Sequence, residues 1–406
     1  MTQAMNFLFI TDSFLPHAGG SRVYYYNVYK RISENGTDRV TVLTKKVAGW
    51  REFDSQAASP SFRIIRHFTP LPNYKYRQLP KGFLTFAQSL WLAASKHPDI
   101  IHSGDLFPPG LTSFAIKKIL GIPYMAYCHG EEVTLSDLRR YQPRVRNQIY
   151  RNADGIIAAS TFAQSHLTRI GILADRVRQV TPGVDCERYQ PRPKNPELVR
   201  RYALDGKLVL LTVARLVKRK GHAIVLNALA KIAPTMPNLR YLIVGEGQER
   251  SLLEQQCREL GIADQIIFAG HASEELLPDF YNLADIFVMI NRESKGDVEG
   301  FGMVFLEANA ACKPVLGGFS GGTSQAILQG ETGFLVNPEI QDEVVSTLTK
   351  MLNDPAQCER MGRAGLKRVR REFSWDSRAQ AIREFTLDIL QSKKGLERGA
   401  IKSAAA

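Results

Sequence analysis

The chain has 406 residues, 44% hydrophobic and 23% charged. That balance excludes a mainly disordered chain, a collagen-like fibre and a disulfide-scaffold miniprotein, and at about 150 residues each it leaves room for roughly two or three domains. Lysine and arginine number 53 against 40 aspartates and glutamates, a net charge of +13, which calls for an anionic partner: nucleic acid, an anionic membrane surface or a phosphorylated small molecule.

Asn6–Ile10 reads as a strand; its apolar run is too short for a signal peptide and is soon followed by Asp12. Ser21–Glu34 reads as a helix. Val40–Leu43, Phe62–Ile65, Asp99–His102, Pro123–Cys128 and Gly155–Ala159 continue the strand series, with helical stretches in most gaps. This βαβα rhythm argues for a parallel sheet covered on both faces. The run Gln190-Pro-Arg-Pro-Lys-Asn-Pro196 has three prolines and reads as a boundary. Beyond it the rhythm restarts with strands Lys207–Val213, Leu239–Val244, Gln265–Phe268, Asp285–Ile290 and Pro314–Leu316, helices Gly221–Ile232 and Gln248–Leu260, and closing helices from about Asp342 to Leu390. The expected architecture is α/β: two doubly wound domains, 1–190 and 191–374, facing an interdomain cleft that receives the carboxyl ends of the strands. The segment 392–406 has little to pack and is expected to be disordered.

No stretch reaches the roughly 18 apolar residues of a membrane span. The five cysteines, Cys128, Cys186, Cys257, Cys312 and Cys358, show no C-x-x-C spacing, so no zinc knuckle or redox dithiol is indicated and a reducing, cytoplasmic compartment is expected.

The strongest constellation is Asp297-Val-Glu299-Gly300-Phe301-Gly302-Met303-Val304-Phe-Leu-Glu307. Glycines before a helix start expose backbone N–H groups and the positive end of the dipole, which suit a phosphate or sugar hydroxyl. Glu299 could accept from sugar hydroxyls, and Glu307, two turns into the helix, could hold a ribose diol. A turn followed by a helix with two surface acids is the plain alternative. Arg215-Leu-Val-Lys-Arg-Lys220-Gly221 follows a strand and opens a helix, so Arg215 and Lys220 can converge on a diphosphate; a solvated basic loop fits the same residues. Pro16-His-Ala-Gly19-Gly20 follows the first strand and lets backbone approach a ligand, but it is not G-x-G-x-x-G, which counts against a dehydrogenase. His129, at a strand's carboxyl end, could orient a sugar hydroxyl or donate a proton, or be structural. The turns Val244-Gly245-Glu-Gly247 and Phe268-Ala-Gly-His-Ala272 are weaker places for ligand contact.

Taken together, these pieces resemble the retaining glycosyltransferases of family four, which have the GT-B fold of two Rossmann-like domains, and look closest to phosphatidylinositol mannosyltransferase-like members. Glu299 and Glu307 match the family's E-x₇-E pattern, with Gly300-Phe301-Gly302 inside it. Arg215 and Lys220 fall at its diphosphate-binding pair, His129 at its donor-sugar histidine, and Gly20, beside Gly19, at its glycine loop. The resemblance implies a nucleotide-diphosphate sugar as co-substrate and no cofactor. The backbone of Phe301, Gly302, Met303 and Val304 would meet sugar and phosphates, Glu307 the ribose, and the turn Gly270–Ala272 the base. The final helix, about 375–391, would cross back to the first domain. Transfer would retain anomeric configuration by a front-face route, with Arg215 and Lys220 stabilising the leaving diphosphate and Glu299 positioning the sugar. No metal is expected: Asp-x-Asp is absent, although Asp297-Val-Glu299 and Asp185-Cys-Glu187 are D-x-E pairs.

Mannose from GDP-mannose is the leading donor, and Glu274 is either a contact to guanine's N–H edge or a first-turn helix acid. The stretch Phe62–Trp91 mixes Arg63, Arg66, Lys75, Arg77 and Lys81 with Phe68, Tyr74, Tyr76, Phe83, Phe86 and Trp91, and a second basic run holds Arg139, Arg140, Arg144, Arg146 and Arg151. Basic side chains among aromatics suit an anionic bilayer. A lipid or lipid-linked glycan acceptor, met by a peripheral enzyme on the inner face of the membrane, follows from this reading; a solvated surface over core aromatics is the plain alternative. The competing readings are a UDP-sugar-dependent transferase acting on a soluble small acceptor, an epimerase or phosphorylase of similar architecture, and a basic nucleic-acid-binding protein. The dispersed basic residues and the lack of a binding motif speak against the last, so no nucleic-acid partner is expected.

Overall fold

The computed structural model describes residues 3–16, 19–67, 78–137 and 142–404, with backbone alone over 78–82, 135–137, 142 and 394–404. The chain forms two compact units, Met1–Pro182 with Trp375–Ala406, and Gly183–Ser374.

In the first unit the strands are β1 (Asn6–Ile10), β2 (Arg39–Lys45), β3 (Phe62–His67), β4 (Ile100–Ser103), β5 (Tyr124–Cys128), β6 (Gly155–Ala158) and β7 (Val177–Gln179). They make one parallel sheet in the order β3-β2-β1-β4-β5-β6-β7. Every residue of β4, β5 and β6 is buried, as a parallel sheet covered on both faces requires. Strand order reverses between β1 and β4, so the loops after these two strands flank the crevice where open sheets bind ligands. Asp105 fixes that loop pair. It accepts from Thr11 Oγ1 at 2.6 Å, from the N–H groups of Asp12 at 2.7 Å and Ser13 at 3.1 Å, and from Ser13 Oγ at 2.8 Å.

The helix Trp375–Ala404 completes this unit by packing on the helix Gly20–Glu34. Trp375 meets Tyr24 edge-on at 5.8 Å. Thr386 Oγ1 lies 3.3 Å from Nε2 of His102, whose Nδ1 is 2.7 Å from the Tyr29 hydroxyl; burial pulls His102 down to about 3, so it is neutral. Arg383 donates to Asp38 at 2.6 and 3.3 Å. Helical backbone runs on to Ala404, past the end expected near 391.

The second unit's strands are β8 (Leu208–Val213), β9 (Leu239–Val244), β10 (Ile266–Gly270), β11 (Ile286–Met289), β12 (Val315–Gly318) and β13 (Gly333–Val336), parallel in the order β10-β9-β8-β11-β12-β13. The two-residue period of a strand sends Val209 and Leu211 into one core and Leu210 into the other. Here the reversal falls between β8 and β11. The units divide after Pro182 rather than at residue 190, because Val184 and Tyr189 are buried in the second core and the Val184 N–H donates to the Phe373 carbonyl at 2.8 Å. The edge strands β7 and β13, of three and four residues, fall outside the expected series; such short runs carry too little pattern to read.

Arg383→Met would leave Asp38, only 1% exposed, without its cation. The expected cost is about 3 kcal/mol in urea unfolding. A loss below about 1 kcal/mol would show that the pair behaves as a surface salt bridge.

Candidate active site

The topology of the second unit sets the turn after β8 beside the loop after β11. Gly221 ends the β8 turn at φ 71°, and a Cβ there would fall 1.7 Å from the Ile290 carbonyl oxygen. Only glycine permits both the left-handed backbone and the contact. The close approach lets side chains of the two segments meet. Lys220 Nζ lies 2.5 Å and Arg219 Nη1 2.7 Å from the same Glu299 oxygen, Oε2, while Arg219 Nε donates to Asp297 Oδ2 at 3.0 Å. Arg219, Lys220 and Glu299 are each 9% exposed. Arg215 stands exposed on the same turn, and its carbonyl accepts from His222 Nε2 at 3.3 Å.

Burial pushes the Glu299 carboxyl up, but Lys220 and Arg219 outweigh it and hold the group below the usual carboxylate range. Burial also pulls the Lys220 ammonium down, and the neighbouring Arg219 and Arg215 reinforce that against the attraction of Glu299. Two carboxylates, Glu299 and Asp297, face the buried Arg219 and Lys220 with the exposed Arg215 as a third cation, so positive charge is in excess by one. That field suits an anion.

Glu299 leads directly into Gly300, Phe301 and Gly302. Gly302, at φ 90°, caps the helix Met303–Ala310. Phe301 turns its ring into the core, 6.0 Å from Phe373. The Phe305 N–H donates to the Gly302 carbonyl at 3.0 Å, whereas those of Met303 and Val304, at the helix start, lie beyond the reach of the intrahelical ladder. Glu307 accepts from the Tyr281 hydroxyl at 2.5 Å. Burial, with Glu274 adding to it and the Tyr281 hydrogen bond opposing, pushes its carboxyl up to about 7.

Arg188 donates to Glu274 Oε2 at 2.8 Å and lies 5.2 Å over the Tyr189 ring, which meets Tyr281 edge-on at 5.5 Å. Glu274 is therefore half of an ion pair rather than a simple helix-start acid. Gly245 packs where a Cβ would fall 2.0 Å from the Ala214 carbonyl oxygen, so it supports the Arg215 turn from below. Its N–H donates to Gly270 at 2.8 Å, two residues before the buried Ala272.

In the first unit, His129 follows β5. Tyr25 gives its single hydroxyl proton to the Gly104 carbonyl and lies 2.6 Å from His129 Nε2. The proton between Tyr25 and His129 therefore belongs to Nε2, and Nδ1 is the acceptor. Burial pulls the ring's pKa down, which keeps it neutral. This geometry suits accepting from a hydroxyl rather than donating a proton. Glu132 accepts from the N–H groups of His129 at 2.9 Å and Gly130 at 3.0 Å, and burial pushes it up to about 7. Gly19, at φ 156°, precedes the helix that opens at Gly20; the adjoining His17 and Ala18 lie outside the described residues, as do Phe68, Tyr74, Lys75, Tyr76, Arg77, Arg139 and Arg140.

The structure thus brings Lys220 and Glu299 together on one turn pair with Arg215, places Glu307 on the adjoining helix, and sets His129, Gly19 and Gly20 in the other unit. Arg219, Asp105, Glu132, Arg188 and Tyr281 escaped the sequence reading. For Arg219 the one signal is its place beside Lys220 in the basic run before Gly221.

Because the fold favours protonated Glu307, its contribution to stability is complete below the unfolded value near 4.5 and is lost as pH rises through about 7. Glu307→Gln cannot ionise, so its melting temperature should gain on wild type between pH 5 and pH 7.5 and then run parallel. A difference constant with pH would refute the assignment.

Residues 18–188 match the family model described as Glycosyltransferase Family 4, and residues 195–368 that described as Glycosyl transferases group 1. A GDP-mannose-dependent alpha-(1-6)-phosphatidylinositol monomannoside mannosyltransferase of Mycolicibacterium smegmatis is 29% identical over 381 residues, covering 93% of this chain and 97% of that protein. A D-inositol 3-phosphate glycosyltransferase of Thermomonospora curvata is 27% identical over 397 residues, covering 90% of each. Among solved structures, HepE of Anabaena in complex with UDP-glucose shares the fold with a TM-score of 0.79 at 21% identity, over 94% of this chain and 98% of that one. With both Rossmann-like units matched, the chain belongs to the glycosyltransferases of GT-B fold, its first unit of family 4 and its second of group 1.

Proposed function

We propose that this glycosyltransferase is a retaining, metal-independent hexosyltransferase that moves mannose from GDP-mannose to a hydroxyl of a lipid or lipid-linked glycan. The observation that carries the donor site is the pairing of Arg219 and Lys220 with Glu299, with Arg215 exposed on the same turn and the helix start at Gly302 three residues beyond Glu299. Fixed cations and a helix N-terminus are complementary to the charge that builds on a departing diphosphate as the sugar becomes oxocarbenium-like. They supply what a divalent ion would otherwise supply. Glu299 is committed to two cations, which suits an acceptor for sugar hydroxyls and not a general base. The departing phosphate assists the acceptor hydroxyl from the front face. His129 Nδ1 accepts from a sugar hydroxyl, Glu307 holds the ribose, and the backbone of Met303 and Val304 meets the phosphates.

The guanine reading gains support from Arg188 and Glu274. Together they offer a donor and an acceptor edge, as guanine does, and the mycobacterial relative's name specifies GDP-mannose. Acceptor and location rest on the first unit. The helix Gln78–Lys96 exposes Phe83 by 69%, Leu84 by 45% and Trp91 by 63%; positions 83, 84 and 91 share one helical face. Ile119 and Leu120 are exposed near Lys118 on the helix Leu111–Leu120. Among the described residues no helix is long and apolar enough to cross a membrane, so an interfacial attachment at the cytoplasmic face is the form proposed.

Calorimetric and thermal-shift titrations with GDP, UDP, ADP and their sugar conjugates test the donor. GDP-mannose at 100 times its Kd is expected to stabilise the protein by about 2.7 kcal/mol, an effect lost in Glu307→Ala. Preference for a uridine nucleotide would favour the alternative donor, and no binding by any nucleotide would remove the reading. The anomeric configuration of the product and the rate in excess chelator test retention and metal independence. Co-sedimentation with phosphatidylinositol vesicles at low salt, reduced in Trp91→Ala, tests the attachment; wild type left in the supernatant would exclude it.

A further inference from the structure

On the donor-site reading, Lys220 meets a diphosphate, yet its ammonium is held by Glu299 at 2.5 Å. Glu299 is held through its backbone as well as its side chain. The Gly322 N–H donates to the Glu299 carbonyl at 2.9 Å, and Gly321 sits so near that a Cβ would fall 2.0 Å from the same oxygen. Arg219 reaches Glu299 with Nη1 at 2.7 Å and Asp297 with Nε at 3.0 Å, while its own carbonyl accepts from the Arg292 N–H at 2.8 Å. Arg219 is thus tied by backbone and side chain to the loop that carries Glu299. Lys220 is the member with freedom: a compact ammonium on a four-carbon stem, against a planar fork fixed at two carboxylates.

We propose that Arg219 is a positioning residue of the donor site: by keeping Glu299 neutralised and in place, it frees Lys220 to leave that carboxylate for the diphosphate of the incoming sugar nucleotide. Glu299 and the diphosphate are then alternative anions for one ammonium. When the anion arrives, the lysine changes partner, and the carboxylate keeps its guanidinium and its place for the sugar. Without Arg219 the same move would strand a buried carboxylate, so Lys220 would be held back. This inference rests on the donor-site reading and adds a handover between two anions.

The test is a double-mutant cycle of R219M and E299Q, read as affinity for inorganic pyrophosphate, with GDP and UDP alongside. Arg219 acting through Glu299 predicts that R219M weakens pyrophosphate about tenfold when Glu299 is present and less than about twofold in the E299Q background. E299Q alone is expected to bind pyrophosphate about tenfold more tightly while losing transfer activity. Equal weakening by R219M in both backgrounds would mean that Arg219 touches the phosphate itself, and no weakening in either would make it purely structural; each overturns the proposal while leaving the donor site standing. Wild type that binds none of the three probes would overturn the donor-site reading and this inference with it. Should R219M lose its cooperative melting transition, R219K supplies the comparison, because it keeps the charge and loses the fork; weakening confined to the Glu299 background is again the supporting result.

Discussion

Two cations on one carboxylate oxygen hold the second unit's site together. Moving Arg219, Lys220 and Glu299 out of water is costly, and their mutual attraction offsets the cost only if the geometry is kept. That requirement reaches outward. The turn after β8 must touch the loop after β11, so residue 221 must lack a Cβ. The loop must then pass into a helix at Gly302, so its N–H groups open beside the same cations. Sheet topology, two glycines and a run of basic residues are thus consequences of one electrostatic arrangement placed at the reversal of strand order, where an open sheet has a crevice.

The first unit solves the same geometric problem with different chemistry. At the reversal between β1 and β4, Asp105 gathers two hydroxyls and two backbone N–H groups instead of lysine and arginine. Nearby, Tyr25 sits between the Gly104 carbonyl and His129, which fixes the histidine's tautomer without charging it. Hydroxyls, a neutral imidazole and backbone amides suit sugar and other hydroxyl groups, whereas the cation cluster suits phosphate. The two crevices therefore differ in the ligand chemistry they favour, in keeping with a family that joins a sugar nucleotide to a second substrate.

Much of this was legible from local pattern. Among the described residues, apolar runs located eleven of the thirteen strands, because a strand buried on both faces shows as an unbroken hydrophobic segment. The spacing of Glu299 and Glu307 around Gly300 and Gly302 exposed the helix start, and the basic turn before Gly221 exposed Lys220. What escaped has a common cause: it depends on partners far apart in sequence. Arg219 looked like one more solvated cation until the fold set it against Asp297 and Glu299. Tyr281, Arg188 and Glu132 acquire roles only through Glu307, Glu274 and the His129 backbone. The domain boundary escaped because proline marks where a chain turns, whereas the packing of Val184 and Tyr189 decides which core a residue joins.

The first unit is assembled from segments separated by the whole of the second: Met1–Pro182 and, after Ser374, the helix that begins at Trp375. During synthesis on the ribosome, the second unit becomes complete in one uninterrupted stretch. The first must wait, although its sheet emerges earlier. Until the helix arrives, Asp38 has no Arg383, His102 has no Thr386, and the face of Tyr24 has no Trp375. Contacts this distant in sequence carry a large loop-closure cost and form slowly. The nascent chain thus holds an unfinished first sheet with an uncovered apolar flank while its neighbour matures, the kind of interval in which chaperones capture multidomain proteins.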